Sequence, residues 1–366
     1  MIQETELLII GAGPAGLSAA AVAAEHGATV TVLERNPNIG GQLIKQTHMF
    51  FGSKEQHASV RGIDIPAILM DRINKTNGKV TIYPETTAVG IYEDGVVTAM
   101  YKEEKYLKFK PKAILVATGA SEKSLPFPNN DLPGIYGAGA VQTLMNVYGV
   151  KPGNKVLMLG CGNIGLIVSY QLMQAGVQVL GILDAAPKIG GYLVHAAKVR
   201  RMGVPILVSH TVVRADGDGK LEKVTIAEVD DHFQPIPGTE KEIETDVLCI
   251  AVGLSPLGEL LHMAGCRMVY IPQLSGFVPV RNSEYETTRE GIFVAGDACG
   301  IEEASAAMVE GSLAGLCAAK KIGYADDNFE ADKKNFEQQL KNLRGGPAGE
   351  RINKGIELMM QKGGVQ

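Results

Sequence analysis

The 366-residue chain has no CxxC pair, and its five cysteines, at 161, 249, 266, 299 and 317, are odd in number and scattered. This set excludes a CxxC redox relay, gives no disulfide framework or cysteine zinc site, and points to a reduced cytosolic chain. The seven histidines show no metal-ligand spacing, so no metal site is expected. Positive charge is not in excess: 35 Lys and Arg against 40 Asp and Glu leave −5. Nucleic acid and anionic membrane are therefore not expected partners. Gly, charged or turn residues break every apolar stretch before the roughly 18 residues a membrane span requires. Met1 to Glu6 holds two acids and no basic segment, so no signal peptide is visible and a cytoplasmic location is expected.

Glycine, by contrast, is abundant, with 44 in 366 residues and no collagen period, which implies many tight turns or close backbone approaches. Many of these glycines fall in a repeat. Residues 7–16 read LLIIGAGPAG and residues 156–165 read VLMLGCGNIG; further on, NPNIGGQL at 36–43 is matched by APKIGGYL at 186–193. Two matching blocks of nearly forty residues do not follow from composition.

Each block has the parts of a βαβ unit. Leu7 to Ile10 is a short apolar run suited to a strand buried on both faces. Gly11, Gly13 and Gly16 follow, then a helical stretch from Ala15 to Glu25, Gly27, and a β-branched run from Thr29 to Leu33 that ends in Glu34. This is the dinucleotide fingerprint in its required context. The first Gly permits the turn, the second lets a pyrophosphate approach, and the third lets helix pack on strand. Helix N–H groups and dipole then hold phosphate, and Glu34 is placed to accept ribose hydroxyls. The second block supplies a strand from Lys155 to Leu159, Gly160, Gly162 and Gly165, a helix from Ile164 to Ala175, a strand from Val177 to Leu183, and Asp184. An acid there repels a 2′-phosphate, and no Lys or Arg follows until Lys188, so NAD is favoured over NADP.

Other segments repeat as well. AILVATGA at 113–120 is mirrored by DVLCIAVG at 246–253. Residues 79–110 alternate apolar and polar with turn signals at Glu93-Asp94-Gly95 and Glu103-Glu104, which predicts an antiparallel meander. Alternating stretches between Pro205 and Ala227 echo it. GIFVAGDACG at 291–300 predicts a strand ending in Gly296-Asp297, before a helix from Glu302 to Lys321. Two amphipathic helices split by Gly345-Gly346-Pro347 are expected in the tail, read as a cap on the same chain, with docking to another subunit as the alternative.

The motifs GAGPAG with Glu34, Gly40-Gly41-Gln42, Ala117-Thr118-Gly119, GCGNIG and Gly296-Asp297 span about residues 5–320. On them the chain resembles the two-dinucleotide-binding flavoproteins, the FAD-dependent pyridine nucleotide oxidoreductases that include thioredoxin and glutathione reductases. The resemblance implies an α/β fold of two Rossmann-like three-layer domains, each with a small antiparallel meander. It implies an FAD domain in two parts (1–125 and 254–325), an inserted NAD(H) domain (126–253) and a helical tail (326–366). It implies FAD on Gly11, Gly13, Pro14, Ala15, Gly16, Glu34, Arg35, Gly41, Gln42, Ala117, Thr118, Gly119, Gly296 and Asp297. It implies NAD(H) on Gly160, Gly162, Asn163, Ile164, Gly165, Asp184 and Gly253.

GDACGIEEASAAMVEGSLAG at 296–315 and the second IGG block are similar to the alpha subunits of amine-oxidising complexes: dye-linked proline dehydrogenase, opine oxidase, hydrogen cyanide synthase and sarcosine oxidase. That likeness implies hydride exchange between NAD(H) and flavin within an amine or amino-acid dehydrogenase, with a small-molecule substrate and a second flavoprotein or iron–sulfur subunit. Residues 325–366 contain no Cys, so any cluster belongs to a partner. A self-sufficient NADH:acceptor reductase acting on ferredoxin or oxygen, and a nucleotide-binding scaffold without catalysis, remain the alternatives. No catalytic side chain is required, because the cofactors carry the chemistry. Lys45 and His48, in the loop anchored by Met49, Phe50 and Phe51, are the polar candidates for flavin or substrate contact. Cys299 reads as a small buried thiol.

Overall fold

The fold is given by a computed structural model, which describes residues 2–50 and 53–364. The chain divides into two compact units, one of residues 1–121 and 254–366, the other of residues 122–253. The first opens with β1 (Gln3–Ile10), α1 (Pro14–Glu25), β2 (Val30–Leu33), α2 (Ile65–Asn74), β3 (Val80–Tyr83), β4 (Thr86–Ile91), β5 (Val97–Tyr101) and β6 (Lys105–Val116). The chain leaves this unit at β7 (Ala120–Glu122).

The second unit contains β8 (Ile135–Gly137), α3 (Ala138–Asn146), β9 (Lys155–Leu159), α4 (Asn163–Gln174), β10 (Gln178–Asp184), α5 (Leu193–Arg201) and β11 (Ile206–Val208). It continues through β12 (His210–Asp216), β13 (Lys223–Glu228), β14 (Lys241–Glu244) and β15 (Val247–Ile250). The return to the first unit adds β16 (Leu254–Pro256), α6 (Glu259–Met263), β17 (Met268–Ile271), β18 (Gly276–Pro279) and β19 (Ile292–Val294). It ends with α7 (Ala304–Lys321), α8 (Phe329–Leu343) and α9 (Pro347–Gly363).

The first sheet runs β3-β2-β1-β6, and the far edge of β6 is shared, its first half pairing with β5 and its last three residues with β19. The second sheet runs β11-β10-β9-β15-β8, all parallel. The sequence repeat is therefore a structural one. In the first unit β3 pairs parallel with β2, so Val80–Tyr83 belongs to the dinucleotide fold, and the predicted meander is reduced to β4, β5 and the start of β6. In the second unit the meander is a separate sheet, β12-β13-β14.

Apolar continuity explains the central strands. Leu7, Leu8 and Ile9 are fully buried, and truncating one to Ala would cost about 2–5 kcal/mol. Helix α1 is buried nearly all round because α7 lies directly on it. A Cβ at Gly311 would stand 2.1 Å from the Ala15 carbonyl oxygen, and one at Gly315 would stand 2.5 Å from that of Ala19, so only small residues permit this approach. Of the predicted loop anchors, Phe50 is buried but Met49, whose backbone bridges to Arg61, is 54% exposed. Phe51 lies outside the described residues. The tail folds onto its own unit: Phe329 and Leu340 of α8 are buried, and Met359 of α9 packs with Ile271, Leu274, Val278 and Val280.

Candidate nucleotide sites

β1 ends at Ile10 and α1 starts at Pro14, so Gly11 to Gly13 must reverse the chain within three residues. Gly11 has φ +107°, and a Cβ there would lie 2.3 Å from the Ala117 carbonyl oxygen. A Cβ on Gly16 would lie 1.8 Å from the carbonyl oxygen of Gly11. The protein's own backbone demands both glycines.

Gly13 is different. Its φ of −79° suits any residue, and a Cβ there would meet nothing nearer than the Gly41 Cα, at 3.9 Å. Internal packing gives no reason for the missing side chain. What the glycine does provide is open room at the N-terminus of α1, where first-turn N–H groups lack helical partners and the dipole favours an anion. A pyrophosphate fits that cradle. Gly41, φ +54°, extends it, because a Cβ there would come within 2.8 Å of the Gly13 Cα.

Glu34 fixes the turn. Its Oε2 accepts the Ala12 N–H at 2.9 Å, while Oε1 accepts the Asn36 backbone and side-chain N–H groups, both at 2.8 Å. A carboxylate offers about four acceptor positions, so one is left on Oε2 for a ribose hydroxyl. The expectation of a ribose ligand thus acquires an internal role that spacing alone did not reveal.

The second unit copies this arrangement. Gly160 has φ +111° and its Cβ would meet the Ala251 carbonyl oxygen at 2.2 Å; that of Gly165 would meet the Gly160 carbonyl oxygen at 1.9 Å. Gly162, φ −69°, would meet nothing within 4 Å. Asp184 Oδ2 accepts the Cys161 N–H at 2.8 Å and Oδ1 the Ala186 N–H at 2.9 Å, leaving acceptor capacity on both oxygens. Gly40 N–H donates to Ala12 O at 2.8 Å, and Gly191 N–H to Cys161 O at 2.9 Å, so each Gly pair is pinned to its own turn.

Among the other expected residues, Pro14 and Ala15 form the first turn of α1, and Asn163 and the exposed Ile164 that of α4. Arg35 and Gln42 are exposed, and Lys45 and His48 are half-buried, with the His48 ring stacked on Phe50 at 6.0 Å. Ala117 is buried, and the Thr118 hydroxyl donates to Leu257 O at 2.6 Å. Gly119 (φ +76°) and Gly253 (φ +109°) end the AILVATG and DVLCIAVG segments, each with open space where a Cβ would be.

Gly296 is buried, and Asp297 next to it is half-buried. Burial pushes the Asp297 carboxyl up to about 7; the Glu302 N–H bond opposes this, and the charges of Glu310 and Glu302 reinforce it. Beneath this loop lies a charged cluster that the sequence did not expose. Glu310, 2% exposed on the inner face of α7, accepts the Gly296 N–H at 3.0 Å and the Tyr285 hydroxyl at 2.9 Å. Its one sequence signal is a single acid inside a small-residue helix that carries no other charge before Lys320. Cys299 donates its thiol proton to Gly296 O at 3.1 Å, as befits a buried structural thiol. Burial raises all five cysteine thiols above their usual range, Cys161 to about 11, which leaves no ready thiolate.

Residues 5–311 match the pyridine nucleotide-disulphide oxidoreductase family. The chain belongs to that family. It is accordingly an oxidoreductase of the flavin- and pyridine-nucleotide-dependent kind, although without the paired cysteines to which the family name refers. The A subunit of opine oxidase from Agrobacterium tumefaciens (strain Ach5) is 28% identical over 93% of this chain and 71% of its own length. The alpha subunit of sarcosine oxidase from Corynebacterium sp. (strain P-1) is 27% identical over 87% of this chain, which spans only 33% of that relative. Among solved structures, L-proline dehydrogenase from P. horikoshii superposes with TM-score 0.69 at 24% identity, over 92% of this chain and 60% of that one. T. acidophilum thioredoxin reductase gives TM-score 0.69 at 22% identity, over 87% of this chain and 98% of that one. The expected α/β architecture is the fold of these neighbours. Among the described residues no helix is long and apolar enough to cross a membrane.

Proposed function

We propose that the first unit holds FAD, the second holds NAD(H), and the protein exchanges hydride between them as one component of an amine or amino-acid dehydrogenase complex. The observation that carries the reading is the pair Gly13 and Gly162, whose missing side chains the protein itself does not require. When bound, nicotinamide and flavin supply the hydride chemistry.

The chain's part is binding and orientation. The first-turn N–H groups of α1 and α4 hold pyrophosphate, and Glu34 and Asp184 fix the two glycine turns while accepting ribose hydroxyls. Asp184 repels a 2′-phosphate, and the next cation in sequence, Lys188, is exposed, which favours NAD(H) over NADP(H). Gly296 and Asp297 face the ribityl end of the flavin in this reading. Membership of a complex draws on the relatives, which are named as individual subunits of opine and sarcosine oxidases. The five isolated, raised-pKa thiols leave no dithiol relay, so electrons pass from the flavin to a partner flavoprotein or iron–sulfur protein.

The test is anaerobic mixing of the purified chain with NADH. Bleaching of a flavin absorbance band supports the reading. A chain that purifies and reconstitutes without flavin refutes the first site, and NADH binding without bleaching selects a non-catalytic scaffold.

A further inference from the structure

The charged cluster beneath Gly296 and Asp297 is completed from the C-terminal tail. Arg344, the residue that ends α8, is largely buried. Its Nη2 donates to Glu310 Oε1 at 2.5 Å and to Glu302 Oε1 at 2.6 Å, and its Nε lies 3.1 Å from both Glu302 oxygens. Both acidic residues in turn reach the loop, Glu310 through its carboxylate and Glu302 through its backbone. Glu310 Oε2 accepts the Gly296 N–H, and the Glu302 backbone N–H donates to Asp297 Oδ1 at 3.3 Å. One guanidinium therefore commands, through two separate paths, both loop residues assigned to the flavin.

The other cation cannot take its place. Arg281 Nη2 stands 3.8 Å from Glu310, beyond hydrogen-bond range; its Nε has no hydrogen-bond partner among the described residues, and its guanidinium is stacked on the Tyr285 ring. The tail holds both arginines. Asn353 of α9 donates to Arg344 O at 3.4 Å, and the Arg281 backbone N–H points to the Met359 sulfur at 3.4 Å.

We propose that Arg344 is a positioning residue for the flavin site, and that the α8–α9 tail is an internal strut of the cofactor loop whose removal takes the nearest cation from two buried carboxylates beside it. This rests on the reading that the first unit binds FAD. The cluster's charges balance as two carboxylates against two guanidiniums, with Asp297 the adjacent titrating group. Without the Arg344 charge, Glu302 loses its guanidinium partner and Glu310 keeps the Gly296 N–H, the Tyr285 hydroxyl and the more distant Arg281, so the repulsion between two buried, ionised carboxylates is less well offset and the defect grows as pH rises.

The experiment measures FAD dissociation from the full chain, across pH, for the parent, Arg344→Gln, Arg344→Lys and the charge-balanced double variant Arg344→Gln/Glu302→Gln. Asp332→Asn serves as the control, because it loosens the α8 contact to His26 without touching the cluster. Arg344→Gln is expected to weaken FAD by about tenfold or more near pH 8 and much less near pH 5.5, the scale of a lost charge-assisted bond. The double variant should recover most of that loss, and Asp332→Asn should bind FAD like the parent. FAD affinity within about twofold of the parent at every pH, or an Asp332→Asn loss as large as that of Arg344→Gln, overturns the proposal. If Arg344→Gln does not fold, Arg344→Lys decides: lost affinity supports positioning by the two-pronged guanidinium, and parent-like affinity overturns it. A parent chain that fails to take up FAD refutes the flavin reading itself, a different outcome from variants that bind as well as a competent parent.

Discussion

Substituting Gly11 and Gly13 one at a time separates what the turn needs for folding from what it needs for a ligand. At Gly11 an alanine meets φ +107° and the Ala117 carbonyl oxygen at 2.3 Å. Backbone strain of about 1–3 kcal/mol and an overlap costing about 1–3 kcal/mol more give a loss of roughly 2–6 kcal/mol. At Gly13 two small effects oppose each other. A Gly-to-Ala change gains about 0.4–1 kcal/mol by restricting the unfolded chain. Gly13 is also the N-cap of α1, where Ala is the poorer residue by several tenths to about 1 kcal/mol. The net change stays within about 1 kcal/mol, or about 2–4 °C in the melting temperature of a unit this size. FAD affinity, however, should fall by at least about tenfold, because the new methyl group fills the space left for the phosphate. The assay pairs a cofactor-free thermal melt with FAD titration by fluorescence quenching. Gly162→Ala should do the same to NADH in the second unit, where a Cβ would likewise meet nothing close. A Gly13→Ala protein that melts as early as Gly11→Ala, or that binds FAD like the parent, would refute the argument that this glycine serves the ligand.

Two further outcomes are expected. Asp184→Ala should weaken NADH while leaving FAD bound as before, and an unchanged NADH affinity in a direct titration would count against the second site. Asp297 titrates near 7 in the folded chain, against about 3.9 unfolded. Between about pH 4 and 7 the folded state therefore keeps a proton the unfolded state lacks, and the first unit loses stability as pH rises through that window. Asp297→Asn should flatten this slope and raise the cofactor-free melting temperature near pH 8; a slope unchanged by the substitution would show that other groups set it.

Much of the fold was legible because its signals are local and occur twice. An unbroken apolar strand, a glycine turn, a small-residue helix and a terminal acid lie within about thirty residues, so LLIIGAGPAG and VLMLGCGNIG announce their βαβ units without reference to distant contacts. Alternation misjudged Val80–Tyr83, because a half-buried edge strand carries the same pattern whether it pairs parallel or antiparallel; only β2 settled the matter. Met49 was misread for a similar reason, since hydrophobicity does not say which way a loop residue points.

What the sequence alone determined is the pair of glycine turns and the acids that follow them, since Gly16 and Gly165 must clear carbonyls only five residues away, while the clearance of Gly11 and Gly160 against Ala117 and Ala251 is tertiary. Tertiary structure decided what those acids hold and what stands beneath the flavin loop. Glu34 and Asp184 reach back across their sheets to Ala12 and Cys161, and Arg344 meets Glu310 and Glu302 across 34 and 42 residues of chain. Spacing encodes no such meeting, because a buried ion pair is specified by where whole helices pack. The role of Gly13 was anticipated from its place in the fingerprint; the surrounding atoms add that the protein itself leaves open the space its Cβ would take, unlike at Gly11 and Gly16.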